Sequence, residues 1–479
     1  MPYYSIKEYS DLYEEAAKSN LYSKVLTSDK EWKIASENLD CILSPNELKI
    51  VTGISTLKTR TLKAFQSIDL SRDIKYKRGF ILNVGFSIWG LDFVPKVSDS
   101  AIEYLAIGGY YSTEEHHMIK EDAKKEERYN MVQIWELPST TNQQSQSVKL
   151  AMCILHKFGP ITELKWAPCS AYDEQKLGIV AILFVDGSIR IFVIPHPNYV
   201  RSKEGLTDDT ITIQLESPRL CLETHQANAL CLSWGGQGRL ACGTASGMIV
   251  VWDILGSLLE GKPKVIVSIS NASQVAIRCI SWGSLFGQNT LFSSDFDGNI
   301  LLHDLDDPHM PFKMIRRRTT FISISGTGHS YGFLFSEADG LVRRNLSYIA
   351  RKAINLNAHS SHVWSISVSP HHGVMASVSS NGNAMVKMFA HDEIELTAKH
   401  KNPEYTLYKL IFDNDTQTFR FVDGIKPNLS LPERAYHTVF AVPCIALQKI
   451  AWNPNKNASG WIASGGKAGL CRIEFTGCT

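Results

Sequence analysis

The sequence predicts an all-β fold, a seven-bladed β-propeller closed by an N-terminal strand and preceded by a short helical leader. Three observations carry that prediction. A three-strand pattern recurs seven times, Gly, Pro and Asp-Gly turns punctuate each recurrence, and the seventh copy ends at Phe475, four residues before the end of the 479-residue sequence. Repeats of this length mark architectures in which each unit buries its apolar faces against its neighbours.

In the first copy Ile88, Gly90 and Asp92 alternate with Trp89, Leu91 and Phe93, and two strand-like runs follow at 104–109 and 131–137. Period-two alternation over short runs bounded by turn residues is the signature of strands. The second copy superposes Ile161 on Ile88, Leu164 on Leu91, Trp166 on Phe93 and the strand-ending Pro168 on Pro95. The third has His225, Ala229, Leu232-Ser-Trp234, a small-residue strand at 240–244, Ser246-Gly247 and a closing Trp252-Asp253. That is the WD-repeat pattern nearly in full, so the propeller is of WD40 type. The fourth copy (277–304) puts His303 in place of the closing Trp, and the fifth (321–342) is weak. The sixth (359–389) recovers an entry-loop His359, and the seventh spans 447–475.

The domain reading follows. Residues 1–60 form an N-terminal helical leader, with Leu12, Ala16, Ala17 and Leu21 on one face and Glu14 and Glu15 early in the run. Residues 61–479 form the propeller, with insertions at 111–130, 139–148 and 390–445. Residues 149–158 supply the outer strand of the first copy, and the last insertion supplies that of the sixth plus a further hairpin. The last copy has no outer strand of its own, and the strand-like run 80–84 is unclaimed; pairing the two closes the ring without an exposed edge.

Composition excludes several classes. A net charge of +1 excludes bulk polycation behaviour, and 44% hydrophobic with 20% charged residues is ordinary globular content. Ten cysteines without a C-x-x-C pair fit small buried hydrophobes in a reducing compartment, and the N-terminus lacks the layout of a signal peptide. His116-His117 beside Glu114, Glu115 and Glu121 lacks a second cluster to complete a metal set, and His371-His372 reads as a solvated turn. His225 and His359 sit where a repeat histidine joins a buried hydrogen-bond network. His303-Asp304 has no accompanying nucleophile, and there is neither a phosphate-binding loop nor a kinase motif set. No enzyme activity, catalytic residue, cofactor or metal is expected. The basic residues Lys313, Arg316, Arg317, Arg318, Arg343, Arg344, Arg351 and Lys352 flank the fifth copy and form the candidate partner or nucleic-acid surface.

At Asn83-Val-Gly-Phe-Ser-Ile-Trp-Gly-Leu-Asp-Phe-Val-Pro95, Tyr104-Leu-Ala-Ile-Gly108 and Val132-Gln-Ile-Trp135 the chain resembles the WD-repeat subunit of the RNA polymerase III general transcription factor TFIIIC. That is the propeller subunit of the half that binds the internal B-block promoter element. The resemblance implies a nuclear, non-enzymatic scaffold at tRNA genes that docks the large B-block-binding subunit and a second WD-repeat subunit. Family members often carry a basic N-terminal extension, whereas the leader here is short and of mixed charge, so any DNA contact is expected to be indirect. The rival reading is a chromatin or ubiquitin-ligase adaptor that captures a peptide motif at the mouth of the ring. A third makes the basic sector a direct nucleic-acid surface.

Overall fold

The computed structural model describes residues 5–19, 21–35, 47–97, 101–115, 128–139, 147–168, 171–207, 209–224, 227–283, 289–327, 332–345, 353–389, 404–426 and 442–477. The fold is an all-β propeller of WD40 type with few helices, and its described strands fall into seven sheets. Sheets two to five have four strands each. Their inner strands are Ile161–Trp166, Ala229–Gly235, Ile277–Trp282 and Phe321–Gly326, and their outer strands are Leu220–Leu222, Val265–Ile269, Phe312–Arg316 and Ala353–Ala358.

The other three sheets are extended by remote parts of the chain. In sheet one (inner strand Ile88–Phe93) the fourth strand, Lys149–His156, pairs in parallel with Ile211–Leu215, which in turn pairs with Trp32–Ile34. In sheet six (inner strand Val363–Val368) Glu404–Asp413 is the fourth strand, and Thr418–Val422, Leu48–Thr52 and Lys58–Leu62 continue outward. In sheet seven (inner strand Leu447–Trp452) Leu470–Phe475 pairs antiparallel with Gly79–Asn83, Leu470 facing Asn83 and Ile473 facing Phe80; Ser67–Asp69 lies outside them. Among the described residues of 1–60 the α-helix is therefore confined to Ile6–Lys18, and a boundary at residue 60 falls inside a rim strand. The helix is defined at its start by a capping box between Ser5 and Glu8. No helix among the described residues is long and apolar enough to cross a membrane.

The core is distributed between neighbouring sheets rather than held at one centre. Phe80, Leu82, Trp461 and Ile473 of sheet seven pack on Phe93, Leu105 and Trp135 of sheet one. Trp166 and Phe184 of sheet two join Tyr104 and Ile134 of sheet one, and the succession continues round to sheets six and seven. Inner strands approach so closely that a Cβ on Gly90 would lie 2.7 Å from the Cβ of Leu164. Gly247 turns between the second and third strands of sheet three at φ +84°, a conformation that L side chains rarely adopt.

Candidate partner-binding site

Every inner strand carries a register shift at its second residue. A bulge leaves that residue out of the ladder and re-aims its side chain. The seven bulged residues are Trp89, Thr162, Leu230, Arg278, Ile322, Trp364 and Gln448, and all seven line one cavity of about 560 Å³ along the propeller axis. Periodicity alone does not reveal this. The signal in the sequence is that each bulged residue breaks the apolar register one place after the strand begins.

Toward the mouth at the start of the inner strands, Trp89 stacks on Tyr110 with ring centres 5.1 Å apart and meets the ring of Trp364 edge-on at 6.1 Å. The Arg278 guanidinium lies 5.8 Å from the centre of the Trp364 ring and 5.7 Å from that of Phe296, and Trp364 Nε1 donates to Ser380 Oγ at 2.7 Å. The propeller's own side chains thus reach across this mouth. Nearer the other end, hydrogen bonds tie each sheet to the next. Trp234 Nε1 donates to the Lys165 carbonyl (2.9 Å), Trp282 Nε1 to the Ser233 carbonyl (3.0 Å), and the Trp452 amide to Ser367 Oγ (3.0 Å).

The second mouth is bordered by Trp234, Trp282, Pro370, Trp452 and Pro454, together with Tyr9 and Tyr13 of the N-terminal helix. His371 holds that helix. Its Nε2 lies 2.8 Å from the Pro454 carbonyl, which can only accept, so Nε2 carries the proton and Nδ1 accepts from Ser10 Oγ at 2.8 Å. Tyr13 meets the His371 ring edge-on at 5.6 Å, and Glu14 pairs with Lys456. His372 Nε2 lies 3.0 Å from Ser459 Oγ. Expecting a solvated turn at His371-His372 was wrong: the helix covers it, His371 is buried, and burial lowers the pKa of both imidazoles.

His359 and His303 are buried and hydrogen-bonded within the fold. His359 is enclosed between Ser379 Oγ and Ser377 Oγ, each 2.9 Å from a ring nitrogen, and burial pushes its pKa down to about 3. His303 is buried against Ser293 Oγ at 2.8 Å, with its pKa lowered by burial to about 4. His225, His116 and His117 lie outside the described residues.

The eight basic candidates divide. Lys313 and Arg316 lie on the outer strand of sheet four, with Arg317 and Arg318 directly after it, and all four are exposed. Arg317 Nε is 3.3 Å from Glu337. Arg343 is engaged inside the fold, 2.9 Å from Glu337 and 2.5 Å from Asp339. Arg344 is buried, its Nη1 donating to the Phe389 carbonyl at 2.8 Å. Arg344 lies two places after Val342 and so shares its buried face, which strand periodicity could have shown. Arg351 and Lys352 lie outside the described residues. Among the described cations of this set, Lys313, Arg316 and Arg318 have no carboxylate partner among the described residues.

Repeated sheets, bulged inner strands and a buried histidine network of this kind define a WD-repeat propeller, and the family model for the WD domain, G-beta repeat, matches residues 351–386. The relatives narrow the class. The transcription factor tau subunit sfc6 of Schizosaccharomyces pombe is 22% identical over 425 residues, covering 85% of this chain and 67% of that protein. General transcription factor 3C polypeptide 2 is 22% identical over 482 residues in both Homo sapiens and Pongo abelii, covering 82% of this chain and 52% of each relative. The chain thus spans about half the length of the two primate relatives. Through most of its length the chain is similar to these TFIIIC subunits.

Proposed function

We propose that the protein is a non-enzymatic scaffold subunit of TFIIIC that works in the nucleus. In this reading it docks the B-block-binding subunit and a second WD-repeat subunit at tRNA gene promoters, with any DNA contact indirect. The carrying observation is that similarity to transcription factor subunits runs through 82–85% of the chain, well beyond the single matched repeat. The proposal includes a seven-bladed ring, one blade per sheet, closed by Gly79–Asn83 beside the last strand. Its support is that neighbouring inner strands contact each other in sequence from sheet one to sheet seven, and that sheet seven contacts sheet one.

The aromatic residues across one mouth and the helix at the other favour docking on the rim and loops over peptide capture in the channel. Co-expression with the other TFIIIC subunits, followed by affinity purification of this chain, tests the proposal. Stable co-purification is expected, and its failure at low salt would overturn the assignment.

A further inference from the structure

We propose that the outer strand of sheet four, Phe312–Arg316, is a docking edge on which an extended acidic and apolar segment of a partner protein adds as a fifth strand. This strand pairs with Asn299–Asp304 on one side and with no described strand on the other. An unpaired edge presents a row of backbone donors and acceptors that template another strand. The fold uses that capacity elsewhere, since remote segments of the same chain extend the edges of sheets one, six and seven.

Side chains identify the occupant. Phe312 is 56% exposed and Met310 beside it 75%, with Val265 and Ile266 exposed on the outer strand of the preceding sheet. Met310 and Phe312 are chain neighbours of Lys313, Arg316 and Arg318. Cations on an edge repel a second copy of the same strand, so they disfavour self-association and select a strand of opposite charge. Nucleic acid fits less well, because phosphates gain nothing from the exposed apolar side chains of Phe312 and Met310. The occupant is therefore a protein segment alternating acidic with branched apolar residues, its charge concentrated toward Arg316.

The test uses the full chain and the synthetic peptide acetyl-Asp-Val-Glu-Ile-Asp-Val-Glu-Ile-amide. A control peptide has proline at its two central positions, which removes ladder donors. Binding with hydrogen-exchange protection confined to 312–316 is expected. The exposed variants Phe312→Asp and Lys313→Glu/Arg316→Glu/Arg318→Glu should each weaken binding at least tenfold while leaving the melting temperature unchanged. Absence of protection in 312–316, or equal binding of the proline peptide, overturns the proposal. So does a 20-base-pair DNA duplex that binds through these cations while the peptide does not. The proposal stands on edge geometry rather than on the transcriptional role, so failed co-purification with TFIIIC subunits would leave it intact.

Discussion

Sheets six, seven and one and sheets three, four and five are built from the same repeat but end differently at the rim. In the first group, remote segments extend each sheet, and a buried cluster bonds one of these additions to its neighbour. Arg472 of sheet seven, fully buried, donates to Asp423 at the end of the hairpin on sheet six, pairs with Glu474, and lies 4.5 Å from the centre of the Tyr408 ring. Lys77 approaches both carboxylates from the segment before the strand Gly79–Asn83. In the second group the sheets stop at four strands and the cores between them are thin. Among the described residues, seven buried apolar side chains join sheets four and five, whereas twenty-two join sheets seven and one. One arc of the propeller is thus bound together by distant chain, and the opposite arc is held by local repeats with its edges open.

The largest test of this contrast is Ile81→Asp. Ile81 is fully buried in the strand that pairs with Arg472, so a carboxylate there should cost more than about 4 kcal/mol, the range of an unpaired buried charge. A variant that melts like the wild type would show that this strand does not secure the arc. Arg472→Ala leaves Asp423 and Glu474 buried without their main partner and should cost about 3–5 kcal/mol in denaturant unfolding. A cost under about 1 kcal/mol would assign the arc's cohesion to apolar packing alone.

Acid should weaken both arcs. His156 in sheet one and His359 in sheet six have pKa values lowered to about 3, chiefly by burial, and His303 in sheet four to about 4. A lowered folded-state value means that the unfolded chain binds the proton more readily. This stability is therefore complete above about pH 6.5 and is lost as pH falls, at roughly 1.4 kcal/mol per pH unit for each histidine until its folded value is reached. Thermal melting between pH 7.5 and 4.5 should show a falling midpoint, and His359→Gln should flatten the profile; an unchanged profile would show that His359 does not drive it.

Native-state hydrogen exchange offers a finer test. Amides of sheets four and five should exchange through openings of lower free energy than those of sheets seven and one, because fewer buried contacts resist opening. Equal protection would remove the link between core size and local stability. The smallest effect is expected from Lys313→Ala, within about 0.5 kcal/mol in a thermal melt, since an exposed edge residue without an ion-pair partner contributes little to the fold. A larger loss would mean that the open edge is structural rather than available.

The inner strands were legible in the sequence because their apolar register and Trp positions are local and recur. Phe80 to Val84 was legible for a different reason: the last copy lacked an outer strand and this run lacked a partner. Trp32–Ile34, Leu48–Thr52 and Lys58–Leu62 were not legible as rim strands. Lys-Thr-Arg-Thr-Leu has little apolar pattern of its own and becomes a strand by pairing with Leu48–Thr52, which in turn adds to the remote strand Thr418–Val422. At the candidate site, the exposure of Lys313, Arg316 and Arg318 was legible from charge, but the engagement of Arg343 and Arg344 depends on Glu337, Asp339 and the Phe389 carbonyl. The burial of His371 was hidden for the same reason, because its cover arrives from residue 10.

The pairing of Asn83 with Leu470 also has a consequence for biogenesis. The strand Gly79–Asn83 leaves the ribosome about 390 residues before its partner, an interval of about 20–80 s at ordinary elongation rates of roughly 5–20 residues per second. Throughout that interval Phe80, Ile81 and Leu82 lack the strand that covers them in the finished protein. The nascent chain therefore carries these apolar side chains without that cover until Leu470–Phe475 has been made, and an unpaired apolar strand is prone to aggregate.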